Sequence, residues 1–289
     1  MVLTSFLAIL TCCLLSPAVA KAQKLNDQID RLITSVISSQ QGPGGAFMVA
    51  RKGQVLYQKA FGKANIELGV DLTPENVFQL GSMTKQFTAV AVLLLEQQGK
   101  LKVSDPISKY IPDYPAGDKI TIHHLLTHTS GIKDFTKMKA LASIAQKEMT
   151  PKMMVDFFKD EALEFAPGER FEYNNSGYVL LGYLIEIVSG ERYADFIQHH
   201  IFDQLGMNHS YYASDRQIIK NRAYGYQKKD DIYVNKTVIN FSVPFASGSL
   251  MSTLADLLKW QNALSQNKLL NAAETKRAFS HYTLNNGAI

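Results

Sequence analysis

The spacing of apolar and polar positions predicts a chain that starts with a helix and a hairpin. Apolar residues recur at helical spacing over residues 24–40, and the glycine-rich stretch 41–45 breaks that pattern. Residues 46–50 and 55–59 then predict two strands joined by a turn at 51–54. The apolar face of the first helix consists of Leu25, Ile29, Leu32, Ile33 and Val36.

A second pattern predicts a buried helix over residues 82–98, ended by Gly99 and preceded by a short extended run at 77–80. Its apolar residues occur on every side, which is typical of a helix surrounded by protein. Further helices are predicted at 121–128, 139–148, 151–160, 177–189, 193–203, 253–264 and 269–279. Few strands are predicted after residue 240, so the hairpin is expected to lack the sheet partners that a stable sheet needs.

Composition predicts a globular domain with a sizeable core. The 289 residues are 46% hydrophobic and 19% charged, with a net charge of +4 and scattered basic residues. Nucleic-acid binding would require a basic stripe, and none is visible. We therefore predict one domain over residues 21–289, with a mainly helical subdomain at roughly 100–240. We expect it to act as a monomer on a small molecule or peptide, without nucleic acid.

The first twenty residues, MVLTSFLAILTCCLLSPAVA, carry no charged side chain and end in an A-x-A pattern. This predicts a signal peptide at 1–20, although a basic start is lacking, and hence an exported protein, periplasmic or secreted. A retained membrane anchor is the alternative. Cys12 and Cys13 are the only cysteines, so cleavage would leave no thiol. No second apolar run is long enough to span a membrane.

Candidate chemistry lies at the start of the buried helix. Ser82 looks like a helix cap, after which a carboxylate is favoured at the third position, yet Lys85 stands there. The spacing puts the two side chains on one side of a helix, one turn apart. The helix dipole and burial would both lower the lysine pKa, and a neutral amine can accept the serine proton. The serine N–H, free at the helix start, could stabilise an oxyanion.

Ser-x-x-Lys is a weak motif by itself. It also occurs at Ser130–Lys133, where no buried helix follows, and at Ser265–Lys268, at a predicted helix C-terminus where a lysine is favourable without any function. Ser82 could accordingly be only a helix N-cap. A second segment, PGERFEYNNSGYVLLG, places Tyr173 and Asn175 just before an apolar helix. A tyrosine hydroxyl can relay a proton, and an asparagine amide can orient both a lysine and a substrate amide. Tyr173 could also be a turn residue packed on the core.

Several segments in order resemble one family. GSMTKQFTAVAVLLLEQQGKL, TIHHLLTHTSGI, PGERFEYNNSGYVLLGYLIE and GSLMSTLADLLKW are similar to serine β-lactamases and penicillin-binding proteins. The branch that they resemble most contains class C β-lactamases, D-alanyl-D-alanine carboxypeptidases and esterases. The resemblance covers about residues 25 to 280.

This resemblance implies an α/β fold of the β-lactamase/transpeptidase type, with an antiparallel sheet flanked by helices and a mainly helical subdomain. It implies a serine hydrolase that cleaves an amide or ester through an acyl-enzyme on Ser82. Lys85 would be proton acceptor and electrostatic partner, Tyr173 the general base or proton relay, and Asn175 the asparagine of the Tyr-x-Asn motif. Asn174 departs from the usual Ser or Ala, with little effect expected. No cofactor or metal is implied.

One part of the family pattern is not found. The family carries Lys-Thr-Gly or His-x-Gly on a strand that supplies a second oxyanion N–H, and this sequence contains neither. Only Arg51-Lys52-Gly53 is loosely similar, and it lies in the predicted hairpin turn. We therefore expect a chain that is incomplete at its C-terminus and lacks its last sheet strands. A non-catalytic protein that binds peptides or peptidoglycan is the alternative.

Other enzyme classes fit less well. His124 and His128, and the pair His199–His200, are not part of a His-Glu-x-x-His motif, and there is no cysteine cluster. Gly-x-Ser-x-Gly, the nucleophile motif of α/β-hydrolases, is absent. The motifs do not separate β-lactams, D-amino-acid peptides and esters as substrates.

Overall fold

The computed structural model describes residues 17–37 and 39–289. Most of the predicted signal peptide, residues 1–16, lies outside the described residues. The α-helices are α1 Pro17–Val36, α2 Thr84–Gln97, α3 Ile122–Leu126, α4 Leu141–Ile144, α5 Pro151–Phe158, α6 Asn175–Ser189, α7 Tyr193–Ile197, α8 Asp203–Leu205, α9 Leu254–Ser265 and α10 Ala272–Ala278. The strands are β1 Gly45–Arg51, β2 Gln54–Phe61, β3 Lys63–Asn65, β4 Val70–Asp71, β5 Phe78–Gln79, β6 Tyr211–Tyr212, β7 Tyr226–Lys229, β8 Ile232–Asn235 and β9 Leu250–Ser252.

The predicted hairpin is confirmed as the antiparallel pair β1–β2, closed by a turn at Lys52 and Gly53. Both turn residues have positive φ, 51° and 80°, the conformation that a tight hairpin turn requires. Within the described residues β1 and β2 pair only with each other. A separate antiparallel sheet has the strand order β5–β9–β6, and its strand β5 lies shortly before α2 in the chain.

The core is built around α2 and α6, which pack against each other. Phe87 of α2 is fully buried and stacks on Trp260 of α9, with ring centroids 4.1 Å apart. Thr88 ties α2 to two other segments, through hydrogen bonds of 2.7 Å to the Tyr193 hydroxyl and to the Ala246 carbonyl. The prediction of a buried helix here is therefore confirmed, and Thr88 links its N-terminal half to α7 and to the segment around Ala246.

Three helices of the structure differ in extent from the sequence-based predictions. The first ends at Val36, and its predicted apolar face is only partly used, because Ile33 is buried while Leu32 is 70% exposed. The helix predicted at 139–148 is limited to α4, because Ala145 O and Met149 N–H bond to the 240–242 segment instead of continuing a helix. The one predicted at 193–203 contains a π-helical stretch, Gln198–Phe202, between α7 and α8.

The hairpin β7–β8 was not predicted from the sequence. Its turn residues, Asp230 and Asp231, both have positive φ, at 49° and 65°. Asp-Asp is a weaker turn signal than Asn-Gly, and the flanking residues are mostly exposed, so no clear alternation marks the strands.

Among the described residues, no helix is both long enough and apolar enough to cross a membrane. The subdomain boundary at 100–240 stays a prediction.

Close packing of α6 on the Phe245–Ser247 segment predicts that Gly182→Ala destabilises the protein. A Cβ at residue 182 would lie 2.3 Å from Ala246 Cβ and 2.5 Å from the Phe245 ring. Alanine normally favours a helix over glycine by about 1 kcal/mol, but overpacking a core costs about 1–3 kcal/mol. We expect a net loss in the free energy of unfolding, measured by urea denaturation. Gly177→Ala in the same helix is the control, because a Cβ at residue 177 would lie no closer than 3.6 Å to its neighbours. Equal stability of wild type and Gly182→Ala would contradict the packing.

Candidate active site

Ser82 lies at a sharp junction between strand and helix. Gly81, with φ of 54°, follows β5, and a 3₁₀ turn, Gly81–Met83, leads into α2. Leu80 and not Ser82 occupies the N-cap of this turn, and the serine hydroxyl caps no backbone group. The N-cap interpretation of Ser82 is therefore wrong. Its side chain is exposed, so an incoming molecule can reach it.

The Ser82 amide is available for an anion. The first hydrogen bond of the turn runs from Met83 N–H to Leu80 O. The Ser82 N–H precedes that bond, and amides in this position lack an intrahelical acceptor. An oxygen that gains negative charge beside Ser82 Oγ could accept from it.

Lys85 is 6% exposed and is held by three oxygen atoms. Its Nζ donates to Asn175 Oδ1 at 2.9 Å and to Ser247 O at 2.8 Å, and lies 3.4 Å from Ser82 Oγ. A neutral amine has two hydrogens and one lone pair. The two short contacts take the hydrogens, so the lone pair would face Ser82 Oγ.

Burial lowers the pKa of Lys85 from its usual 10.5, against the opposing effects of Tyr173 and Asp134. The sequence-based expectation of a lowered pKa is thereby confirmed. The native protein releases this proton at a lower pH than the unfolded chain does. Between the native and the unfolded pKa of Lys85, the unfolded chain therefore holds more protons. The free energy of unfolding therefore rises with pH between the two pKa values, and below both the buried ammonium destabilises the fold.

Tyr173 reaches the nucleophile from the segment before α6. Its hydroxyl donates to Ser82 Oγ at 2.6 Å, and its ring centroid lies 4.9 Å from Lys85 Nζ. The His128 ring lies against it, at a centroid distance of 4.6 Å. His128 Nδ1 accepts from Asn174 N–H at 3.1 Å, and burial followed by repulsion from Lys85 lowers the pKa of His128 to about 4. A neutral imidazole thus supports the tyrosine.

Asn175 begins α6 and connects the lysine to a buried carboxylate. Asn174 is the N-cap of α6, because its Oδ1 accepts from Gly177 N–H at 2.8 Å. Asn175 Oδ1 accepts from Lys85, while its Nδ2 donates to Asp134 Oδ2 at 3.1 Å. The orientation of the Asn175 side-chain amide is therefore fixed, because its oxygen faces a donor, Lys85, and its nitrogen faces an acceptor, Asp134. Asn174 is a structural residue.

The structure brings Ser82, Lys85, Tyr173 and Asn175 together, and adds two groups that sequence reasoning missed. Asp134 is 2% exposed and anchors both the side chain and the backbone N–H of Asn175. The Ser247 carbonyl holds Lys85 from 162 positions away in the chain. A backbone acceptor leaves no sequence signal. Asp134 lies next to Lys133 of the second Ser-x-x-Lys pair and belongs to none of the short motifs.

The other copies of the short motifs lie elsewhere. Lys133 pairs with Glu164 at 2.6 Å, and Lys268 is exposed. Asn235 of the second Tyr-x-Asn donates to Glu67 at 2.9 Å. Only the Ser82–Lys85 and Tyr173–Asn175 copies meet one another.

The histidines considered as metal ligands have protein partners. His124 Nδ1 accepts from Thr121 N–H in a capping box, and His128 holds Asn174. His199 and His200 both bond to Glu191. In the part of the chain that the structure describes, no group of three His, Cys, Asp or Glu side chains is placed to hold a metal ion.

The fold and this constellation agree with the family comparison. The profile described as "Beta-lactamase" matches residues 29–287. The chain therefore belongs to the β-lactamase family, as the sequence motifs predicted.

Individual relatives are similar over most of this chain. A penicillin-binding protein of Bacillus subtilis is 34% identical over 257 residues, which are 84% of this chain and 57% of the relative. The chain thus spans less than two thirds of that relative's length.

Solved structures show the same fold. An octameric penicillin-binding protein homologue from Pyrococcus abyssi has a TM-score of 0.76 at 31% identity, over 89% of this chain and 60% of that one. A D-amino acid amidase from Ochrobactrum anthropi has a TM-score of 0.78 at 27% identity, over 87% of this chain and 74% of that one. The predicted α/β fold of the β-lactamase/transpeptidase type is confirmed. Because one neighbour is octameric, the monomeric state of this protein stays a prediction.

Proposed function

We propose that the protein is a serine hydrolase that cleaves an amide or ester through an acyl-enzyme on Ser82. The single observation that carries this proposal is the position of Ser82 Oγ, 2.6 Å from the Tyr173 hydroxyl and 3.4 Å from Lys85 Nζ. A nucleophile within reach of a base that is oriented by a further group is the general arrangement of covalent catalysis.

The chemistry follows from these contacts. Ser82 Oγ attacks the substrate carbonyl carbon, and its proton passes to Lys85, directly or through Tyr173. The former carbonyl oxygen becomes an oxyanion, which the Ser82 N–H can stabilise. The proton then moves to the leaving amine or alcohol as the acyl bond to that group breaks. Water repeats the sequence on the ester and releases the acid.

The chain offers two ways to hold the proton. Lys85 has a lowered pKa, and in its neutral form its lone pair would face Ser82, which supports it as the acceptor. Tyr173 makes the shorter contact and has Lys85 close to its ring, which supports it as a relay. Asn175 would hold the Lys85 amine directly, and Asp134 would act through Asn175.

The substrate class remains broad within the proposal. β-lactams, peptides of the D-alanyl-D-alanine type and small esters are the candidates. The relatives named as a penicillin-binding protein and a D-amino acid amidase support a β-lactam or an amide beside a D-residue. A protein that only binds such peptides is the alternative, because the sequence contains neither form of the third family motif.

The test is the mass of the intact protein after treatment with a penicillin or an activated ester. We expect a single adduct that maps to Ser82 and is absent in Ser82→Ala. A binding protein without catalysis would retain the compound only non-covalently. An adduct that persists in Ser82→Ala would refute the assignment of the nucleophile.

We also propose that the protein is exported, with cleavage after Ala20. The support is the uncharged apolar run at residues 1–20 and its A-x-A ending. N-terminal sequencing of the protein from its native host should find Lys21 first. A chain that keeps Met1 at its start would contradict this proposal.

A further inference from the structure

A large cavity opens next to the nucleophile. It has a volume of about 780 Å³, and its wall includes Leu80 and Gly81, the two residues before Ser82. Much of the remaining wall comes from the segment between Asp215 and Phe241, which contains β7 and β8. A substrate whose carbonyl reaches Ser82 could extend into this space.

Two cationic side chains line the cavity around one aromatic ring. The guanidinium of Arg222 lies 4.8 Å from the centroid of the Phe241 ring, and Lys236 Nζ lies 5.3 Å from it. Phe241 is buried, and both cations are half-buried. Neither cation forms an ion pair within the described ranges 17–37 and 39–289. Burial, followed by repulsion from Arg222, lowers the pKa of Lys236.

The carboxylates of the cavity wall, Asp215 and Glu67, accept hydrogen bonds from neutral groups and not from Arg222 or Lys236. Asp215 Oδ2 accepts from Phe241 N–H at 3.1 Å, although its charge still partly offsets the effect of Arg222 on Lys236. Glu67 accepts from the Tyr226 hydroxyl and from Asn235. The cations thus remain without a paired carboxylate, at a site where partial burial strengthens electrostatic attraction.

The Lys236 side chain packs over the backbone of Gly225 at the cavity wall. A Cβ on Gly225 would lie 2.6 Å from Lys236 Cδ, so the absence of a side chain at residue 225 makes room for the lysine. The Lys236 ammonium then donates to Gln79 Oε1 at 2.9 Å. Gln79 lies three positions before Ser82, so the lysine charge is directed toward the nucleophile side of the cavity.

We propose that this cavity binds a carboxylate carried by the substrate, with Arg222 and Lys236 as the groups that recognise it. Arginine presents a fork of N–H donors that matches a carboxylate, and lysine adds a point charge. The inference rests on the proposed function, because it assumes that the substrate is acylated on Ser82. It narrows the substrate class to amides or esters with an acidic group some distance from the cleaved bond.

The first experiment measures binding without chemistry. Ser82→Ala would be titrated by calorimetry with the mono-anilides of adipic, pimelic and suberic acid, and with the same anilides capped as methyl esters. We expect at least one free acid to bind about tenfold more tightly than its capped form, and added salt to reduce that preference. Equal affinity of all acids and their capped forms would overturn the proposal.

The second experiment assigns the preference to the two cations. Arg222→Gln combined with Lys236→Met should reduce the preference to less than about twofold and leave binding of the capped anilides unchanged. Lys220→Gln is the matched control, because Lys220 is exposed, lies two positions from Arg222 and is outside the cavity wall. Thermal melting verifies that the variants fold. A preference that survives in the double variant would show that other groups bind the acid.

Acylation rates separate this inference from the proposed function. The mono-4-nitrophenyl esters of the same acids and their methyl-capped forms would be reacted with the wild-type protein. Faster acylation by the free acids supports both proposals. Equal acylation by both forms would refute the carboxylate site and leave the hydrolase proposal standing. Selective binding without any acylation of Ser82 would refute the hydrolase and leave the carboxylate site.

Discussion

Lys85→Met is expected to slow acylation of Ser82 by about 10²–10⁴-fold, the range typical of a lost general base. The variant removes the amine that lies 3.4 Å from Ser82 Oγ and fills its buried space with a side chain of similar length. Tyr173 stays in place but loses the cation near its ring. The measurement is the rate of adduct formation with an activated ester, followed by intact mass.

The same variant should fold with unchanged or increased stability. Asn175 Oδ1 and Ser247 O lose their donor, which costs free energy, but a buried charge disappears. The wild type should gain stability as the pH rises from the lowered pKa of Lys85 toward 10.5, and the variant should lack this gain. Urea denaturation at several pH values measures both effects.

Lys268→Met is the matched control, because Lys268 has the same spacing from Ser265 that Lys85 has from Ser82. Lys268 is exposed, and its loss should change neither acylation nor stability. Wild-type acylation should also accelerate with pH until Lys85 is neutral, below pH 10.5. Normal acylation by Lys85→Met would show that the proposed role of the lysine is wrong.

Tyr173→Phe is the second change with a large expected effect. It removes a single oxygen, the one 2.6 Å from Ser82 Oγ, and keeps the ring that packs on His128. If the hydroxyl relays the serine proton, acylation should slow by about 10²–10⁴-fold. The ring is 41% exposed, so we expect the stability to change by less than about 1 kcal/mol.

Tyr233→Phe provides the control for this variant, since Tyr233 starts the other Tyr-x-Asn sequence and is 52% exposed. Its acylation rate should equal that of the wild type. If Tyr173→Phe and Tyr233→Phe both react at the wild-type rate, then Lys85 takes the proton directly and the relay is unnecessary.

The periodicity of apolar residues predicts the extents of helices and strands well where local sequence signals are strong. The extents of β1 and β2 follow from apolar runs around a Lys-Gly turn, and α2 follows from a continuous apolar block ended by Gly99. Where tertiary hydrogen bonds replace helical ones, as at Ala145 and Met149, propensity alone extended the helix too far.

The four motif residues of the candidate site could be predicted from the sequence, whereas the groups that support them could not. Spacing placed Ser82 and Lys85 on one side of a helix. The family resemblance joined them to Tyr173 and to Asn175, and Asn175 lies 90 positions after Lys85. The supporting groups could not be predicted, because Ser247 contributes a carbonyl and His128 a ring face. Such contacts depend on the chain path and leave no pattern in the sequence.

The intact mass of the protein after incubation with a penicillin or an activated ester is the decisive measurement of whether Ser82 is acylated. We expect one added acyl group, located on Ser82 by peptide mapping and absent from Ser82→Ala. A wild-type protein of unchanged mass after saturating treatment with both compounds, under conditions in which it is folded, would contradict the claim that Ser82 is a nucleophile.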